Sequence, residues 1–194
     1  MKKVIALMAS PNKGKNTDTL VDKFLEGISD SGEKVEIKKY VIRDMNIGFC
    51  IGCNYCEKTG NCFQDDDMNE LYEAFDSSDG IILGSPIYFG GITTYGKLMI
   101  DRCQIYWSSK YVLGESSIDR GKKRFGAFIS TVGAPEKYSN FTGSQQVASV
   151  FFKSINTEQN QAIYVANTDE QKTWENAELL EDVYQKGKAF FEGF

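Results

Sequence analysis

Short apolar runs alternate with amphipathic segments along most of the chain, and this alternation predicts an α/β fold. Four runs are almost continuously apolar, which is typical of strands that are buried on both faces of a parallel sheet. They cover residues 4–8, 80–84, 125–129 and 162–165. A fifth strand is predicted at residues 34–41, where Val35 and Ile37 alternate with charged side chains. We expect this more exposed strand at the edge of the sheet.

Between these strands, apolar residues recur at helical spacing. The predicted helices cover residues 17–30, 68–75, 94–107, 147–152 and 180–191. Strands that alternate with helices imply right-handed crossovers and a parallel sheet with helices on both faces. We therefore expect residues 1–194 to form a single α/β domain, a flavodoxin-like three-layer sandwich with a five-stranded parallel sheet of order 2-1-3-4-5.

Polar loops follow three of the predicted strands, and the carboxyl ends of parallel strands meet at one edge of the sheet. The first loop, residues 10–17, leads into a helix, so backbone N–H groups and the positive end of the helix dipole converge there. It carries hydroxyl and amide donors suited to a phosphate monoester, namely Ser10, Asn12, Asn16 and Thr17. The alternative is a plain polar turn in which Asn16 or Thr17 caps the helix, and the two interpretations are compatible.

The second and third loops are suited to a planar ring. Residues 85–91 contain the run Pro86, Ile87, Tyr88, Phe89 and Gly90, in which aromatic faces stand beside glycines that allow a close approach of the backbone. The alternative is that these aromatic residues pack on a neighbouring helix or subunit. The third loop supplies Thr131 and the backbone amides of Val132 and Gly133, which can bond the polar edge of a planar cofactor.

A cysteine-rich loop at residues 49–66 separates the second strand from the following helix. It holds Cys50, Cys53, Cys56 and Cys62 in the spacing C-x2-C-x2-C-x5-C. Such a run is typical of a [4Fe–4S] cluster. Zinc is a second candidate, although it usually takes two separated C-x2-C pairs, and free thiols are a third. Cys103 is far from the other four in sequence, and we interpret it as a buried core side chain.

Composition narrows the classes of function. The net charge of −5 and the pI near 4.9, without a long basic run, argue against nucleic acid or a membrane surface as the main partner. The first apolar run is too short for a signal peptide, so we expect a cytoplasmic protein, where clustered cysteines favour metal or redox chemistry. The chain has no histidine, which excludes Ser-His-Asp and Cys-His mechanisms.

Motifs in the first two-thirds of the chain are similar to those of a known family. They are Ser10-Pro11 with Gly14 and Asn16, the cysteine run followed by Asp66-Asp67-Met68, Ser85-Pro86-Ile87-Tyr88, and Lys97 with Asp101-Arg102. In this order they resemble the NAD(P)H-dependent FMN reductase superfamily of flavodoxin-like proteins. The resemblance is greatest to the iron–sulfur flavoprotein branch of that superfamily.

The resemblance implies an FMN-binding homodimer or homotetramer. Residues 10–17 would hold the flavin phosphate, residues 86–90 would lie along the isoalloxazine ring, and residues 131–133 would meet its pyrimidine edge. The four clustered cysteines match those that carry a [4Fe–4S] cluster near the flavin of a neighbouring subunit. Asn12 is a departure, since relatives commonly have arginine there, so we expect FMN either to bind less tightly or to depend on Lys13 or Lys15.

The function expected from this resemblance is electron transfer between a [4Fe–4S] cluster and FMN, with ferredoxin or another low-potential carrier, or a small oxidant, as partner. No catalytic side chain is required, because the cofactors carry the chemistry. The alternative is a cluster-free reductase of flavins, quinones, azo or nitro compounds that uses NAD(P)H as cosubstrate. A third hypothesis, from another class, is a redox-sensing module that binds FMN without turnover.

Overall fold

The computed structural model describes residues 1–193, and its centre is a parallel sheet. The strands are β1 (Lys2–Met8), β2 (Val35–Val41), β3 (Gly80–Tyr88), β4 (Gly91–Ile92), β5 (Phe125–Thr131) and β6 (Glu158–Val165). The order β2-β1-β3-β5-β6 is parallel throughout, and the two-residue β4 pairs with β3 in antiparallel fashion. The five parallel strands therefore have the predicted order, and the edge position of β2 is confirmed. The sequence did not predict β4.

Helices cover both faces of this sheet. They are α1 (Asn16–Ser29), α2 (Cys56–Thr59), α3 (Met68–Ser77), α4 (Thr94–Arg102), α5 (Gln104–Tyr111), α6 (Thr142–Ser154) and α7 (Ala177–Lys188). The helix predicted at residues 94–107 is in fact two helices. The break lies at Cys103, whose backbone N–H bonds to the carbonyl of Ile100 three residues earlier, as in a 3₁₀ turn.

Side chains of alternate residues in the central strands pack in two separate hydrophobic cores, one on each face of the sheet. Leu7 of β1 lies in the core beneath α3, α5 and α6, whereas Met8 lies in the core beneath α1 and α7. Each fully buried side chain of this size contributes roughly 1.5–3 kcal/mol to folding. Helices α1 and α7 approach closely because Gly27 and Gly187 have no Cβ atom. A Cβ atom on either residue would overlap the backbone of the other helix.

Strands β3 and β5 run further than the sequence predicts. The register pairs Ser85 with Ser130 and Pro86 with Thr131, so residues assigned to loops belong to strand ends. Beyond them the chain turns in a tight hairpin with Phe89 (φ 51°) and Gly90 (φ 77°) at its tip. Within residues 1–193, no helix has the length and apolar character needed to cross a membrane.

Candidate functional site

A crevice of about 160 Å³ lies at the carboxyl ends of the parallel strands, where the order of the sheet reverses. Nearly all of the predicted ligand residues line it: Ser10, Asn12, Asn16, Thr17, Pro86, Ile87, Tyr88, Thr131 and Gly133. Lys15, Thr168 and Asp169 also line it, and the sequence analysis did not include the last two. The three polar loops therefore face one site, as the topology predicts.

The loop after β1 has a defined shape without any bound molecule. The Ser10 hydroxyl accepts a hydrogen bond from the Asn12 backbone N–H at 3.1 Å. Deeper in the crevice, the hydroxyls of Thr17 and Thr131 lie 2.7 Å apart, which joins the start of α1 to the end of β5. The first backbone N–H groups of α1 have no partner within the helix, so this end of the helix favours an anion.

A buried carboxylate supports this loop from below. Asp18 accepts a hydrogen bond from the Gly14 N–H at 2.5 Å and forms an ion pair with Lys39 of β2. Gly14 has φ 67°, a conformation that favours glycine. Burial alone would lower the pKa of Lys39, but the carboxylates of Asp18 and Asp22 raise it above its usual value. Asp18 thus links the Gly14 turn of the loop to β2.

Asn16 does not cap α1, which corrects one of the two predicted roles of this residue. The N-cap position is Lys15, without a side-chain capping bond, and Asn16 is the first residue of the helix. The Asn16 side-chain oxygen instead accepts a hydrogen bond from the backbone N–H of Thr173 at 3.0 Å. Because its oxygen is occupied, Asn16 has its amide N–H groups left as donors.

The segment after β6 completes the crevice. Trp174 lies under the ammonium group of Lys15, 5.3 Å from nitrogen to ring centroid, which is a cation–π geometry. Asp169 rests against Gly133, where a Cβ atom would overlap its carboxylate. These residues follow the carboxyl end of β6, and ligands of such sheets bind at the carboxyl ends of the strands, so a signal for them was present. They were not predicted, because the segment is polar and contains no ligand motif.

Three predicted residues lie outside the lining of the crevice. Phe89 and Gly90 form the tip of the hairpin, and the Phe89 ring is fully exposed. The backbone N–H of Val132 donates to the carbonyl of Val165 at 2.9 Å, so it is not free for a ligand. The contact of the Val132 amide with a cofactor stays a prediction, and it would require this hydrogen bond to be shared or broken.

The cysteine-rich loop forms a second pocket. Cys50, Cys53, Cys56 and Cys62 all line one cavity of about 40 Å³, together with apolar side chains such as Ile51, Phe63 and Ile105. Cys50 and Cys53 are exposed, whereas Cys56 and Cys62 are half-buried. The four clustered thiols thus line a single space.

Local turns bring the cysteines to this pocket. Gly52 (φ 66°) and Asn54 (φ 57°) have left-handed backbone conformations that bend the chain between consecutive cysteines. Helix α2 begins at Cys56 and ends at Thr59, with Gly60 as its C-cap, and it packs on α5. There the Cys56 sulfur lies 3.3 Å from the hydroxyl of Ser108.

An ion pair ties the loop to the body of the protein. Arg102, at the end of α4, donates to both carboxylate oxygens of Asp66 at 2.6 and 3.1 Å and to the Gly48 carbonyl at 2.7 Å. Burial alone would raise the pKa of Asp66, but hydrogen bonds from Arg102 and from two backbone N–H groups lower it below its usual range. Asp101, the sequence neighbour of Arg102, points elsewhere and pairs with Lys97.

The four thiols of this pocket are donors suited to an iron–sulfur group, although they do not lie close to one another. Within residues 1–193, no three cysteine or carboxylate side chains are close enough to hold one metal ion. In a four-iron cluster each thiolate binds a different iron, so the sulfurs need only surround a common space, and the four cysteines do so. Cys103 is apart from them, buried beneath α4, and burial raises the pKa of its thiol.

Residues 2–157 match the protein family described as NADPH-dependent FMN reductase. An iron–sulfur flavoprotein of Methanocaldococcus jannaschii is 40% identical over 100 residues, which are 52% of this chain and 51% of that protein. An iron–sulfur flavoprotein of Archaeoglobus fulgidus is 33% identical over 142 residues, which are 72% of this chain and 60% of that protein. The chain thus spans only 51% and 60% of the length of these relatives.

Solved structures share the fold at low sequence identity. An azoreductase from Bacillus anthracis superposes with a TM-score of 0.72 at 11% identity, over 100% of both chains. An NAD(P)H:quinone oxidoreductase from Methanothermobacter marburgensis superposes with a TM-score of 0.67 at 13% identity, over 98% of this chain and 96% of that one. These likenesses confirm the predicted fold class.

Proposed function

Since this chain belongs to the NADPH-dependent FMN reductase family, we propose that it is a flavin-dependent oxidoreductase that binds FMN in the strand-end crevice. The observation that carries the proposal is the crevice itself, in which donors from three separate loops converge beside the start of α1. A helix start with free backbone N–H groups is a general anion site. When bound, FMN supplies hydride and single-electron chemistry, while the protein binds and orients it.

The phosphate of FMN is assigned to the loop between β1 and α1. Asn16 offers its amide N–H groups, and Thr17 offers a hydroxyl that now bonds Thr131. Lys15 lines the same crevice and supplies a cation, which compensates for the neutral Asn12. The ring is assigned to the space along Pro86, with Tyr88 at the mouth of the crevice.

The four clustered cysteines are assigned to a [4Fe–4S] cluster, which when bound exchanges single electrons. Their common pocket and the names of the related iron–sulfur flavoproteins support this assignment. The proposed function is therefore electron transfer between cluster and FMN in a homo-oligomer, with ferredoxin or a similar carrier as partner. The exposed aromatic residues of the loop, Phe49 and Tyr55 among them, support a contact with another chain.

Cofactor content tests this proposal. Iron, acid-labile sulfide and FMN are measured on protein purified without oxygen, together with its visible spectrum. About four irons and four sulfides for each FMN are expected if a [4Fe–4S] cluster is present. FMN without iron would contradict the cluster assignment, and protein that takes up neither cofactor would contradict both assignments.

The second candidate function is a cluster-free reductase that takes hydride from NAD(P)H. The exposed rings of Tyr88 and Phe89 favour it, since they provide a stacking surface at the mouth of the crevice. Rapid mixing of the FMN-loaded protein with NADH or NADPH separates the candidates. Rapid bleaching of the flavin in protein without iron supports the second candidate, and slow bleaching contradicts it.

A further inference from the structure

Arg102 carries a polar atom that the fold leaves without a partner. The side chain is only 2% exposed, and its Nη atoms bond Asp66 and Gly48. Its Nε atom is buried and has no hydrogen-bond partner among the described residues. A buried donor of a charged group is rarely left unpaired, because the loss of water is not compensated.

This unpaired atom belongs to a side chain of the cysteine pocket. Arg102 lines the cavity with all four clustered cysteines. A Cys62 thiolate would interact electrostatically with the guanidinium group. The cationic side chain thus lines the space in which an anionic sulfur centre would lie.

A second buried arginine shows that the unpaired atom is not a general feature of this fold. Arg124 is 1% exposed, and its Nε donates to the carbonyl of Phe75 at 3.2 Å. Its Nη atoms donate to carbonyls of Asp76 and Asp119. Arg124 lies outside the lining of the cysteine pocket and has all its nitrogens paired, as a purely structural arginine does.

We infer that Arg102 is a positioning residue for the sulfur centre of this pocket, with its Nε–H donating to a sulfur of the bound cluster or of its Cys62 ligand. The inference rests on the proposed [4Fe–4S] cluster and goes beyond it, since it names a residue that sets the properties of the cluster. Hydrogen bonds to sulfur and nearby positive charge favour the more negative, reduced cluster, so Arg102 raises the reduction potential. Asp66 holds the guanidinium in place for this contact.

The test uses Arg102→Lys, which keeps a positive charge but has no nitrogen at the Nε position. Arg124→Lys is the matched control, a buried arginine changed in the same way outside the cysteine pocket. Cluster potentials are measured by redox titration with electron paramagnetic resonance on FMN-loaded protein without oxygen, and iron release to a chelator is timed. Arg102→Lys is expected to have a more negative cluster potential and to lose iron roughly 10- to 100-fold faster, as for other ligand-supporting residues.

Arg124→Lys is expected to keep the wild-type potential and iron retention. Equal potentials and equal iron retention in Arg102→Lys and wild type would overturn the inference. Iron-free wild-type protein would overturn the cluster assignment itself, and the inference with it. The two failures are therefore distinguishable.

A second variant guards against misfolding of the first. Arg102→Met combined with Asp66→Asn removes both charges of the pair, so neither is left buried alone, and methionine has no nitrogen at the position of Nε. This double variant is also expected to have a more negative cluster potential, while its FMN content stays at the wild-type level. An unchanged potential in the double variant would overturn the inference. Loss of iron from Arg102→Lys with full FMN and a wild-type urea midpoint would support the inference, because the loop is then still anchored. Iron loss that accompanies a lower urea midpoint would show an anchoring role alone and overturn it.

Discussion

The strand-end crevice and the cysteine pocket are built in different ways. Side chains of the crevice stand at the ends of regular strands and helices, and direct hydrogen bonds such as Thr17 to Thr131 fix them. The cysteine loop has only the four-residue helix α2, and the buried pair of Arg102 and Asp66 joins it to the body. The first site is thus held by hydrogen bonds between regular elements, whereas the cysteine loop is held by the Arg102–Asp66 pair together with the packing of α2 on α5.

The largest effect is expected at the cysteine pocket. Cys53→Ala removes one of four cluster ligands and should abolish iron binding, while the FMN content remains unchanged because the crevice is built independently. The matched control is Cys103→Ala, which removes a buried thiol outside the pocket and should leave the iron content intact. Iron and FMN analysis of both variants checks this. Wild-type iron in Cys53→Ala would contradict the ligand assignment.

The next largest effect is expected from loss of the ion pair between Arg102 and Asp66. Arg102→Gln leaves the Asp66 carboxylate buried without its partner and should lower the free energy of unfolding by about 3–5 kcal/mol. Urea unfolding at neutral pH measures the change. Lys186→Gln is the control, since its pair with Asp182 is exposed and its loss should change stability little. Equal losses in the two variants would show that Arg102 does not anchor the loop.

A smaller effect is expected in the crevice. Asn16→Ala removes an amide donor from the loop assigned to the phosphate, and a hydrogen bond to a charged group is worth about 1.5–3 kcal/mol. The dissociation constant of FMN should rise roughly 10- to 150-fold, as titration of flavin fluorescence with apoprotein would show. Asn160→Ala is the control, because Asn160 lies near the amino end of β6 and outside the lining of the crevice. Unchanged FMN affinity in Asn16→Ala would place the phosphate elsewhere.

Acid should weaken the anchor of the cysteine loop. The folded-state pKa of Asp66 is lowered, so this carboxylate contributes stability that is fully present above its unfolded pKa of about 3.9 and is lost as the pH falls through its folded pKa. Wild type should therefore lose more stability between pH 5 and pH 3 than the variant that combines Arg102→Met with Asp66→Asn. Urea midpoints at the two pH values measure this. Equal losses would contradict the assigned role of Asp66.

Much of the crevice was predictable from the sequence, because strand ends in a parallel sheet converge by topology alone. Ser10, Pro86 and Thr131 each follow or end an apolar run, and the structure brings them together. Asp169 was missed because its approach to Gly133 depends on the path of the chain after β6. Phe89 lies outside the lining of the crevice, because the extension of β3 turned the expected loop into a hairpin with an exposed tip.

Of the cysteine pocket, only the four clustered cysteines were predictable. The spacing of Cys50, Cys53 and Cys56 is a local pattern that the sequence displays directly. Their buried support is not local, because Arg102 is 36 residues from Asp66 in the chain. Arg102 directly follows Asp101 in the sequence, and this local charged pattern gave no signal that the arginine side chain is buried.

In the proposed function, the two sites hold two redox groups that exchange electrons. This exchange is tested by rapid mixing of FMN-loaded protein with a reduced ferredoxin in the absence of oxygen, with flavin bleaching recorded for wild type and Cys53→Ala. Rapid bleaching is expected in wild type, and a much slower reaction is expected in Cys53→Ala at equal FMN content. Equal rates in the two proteins would contradict this exchange.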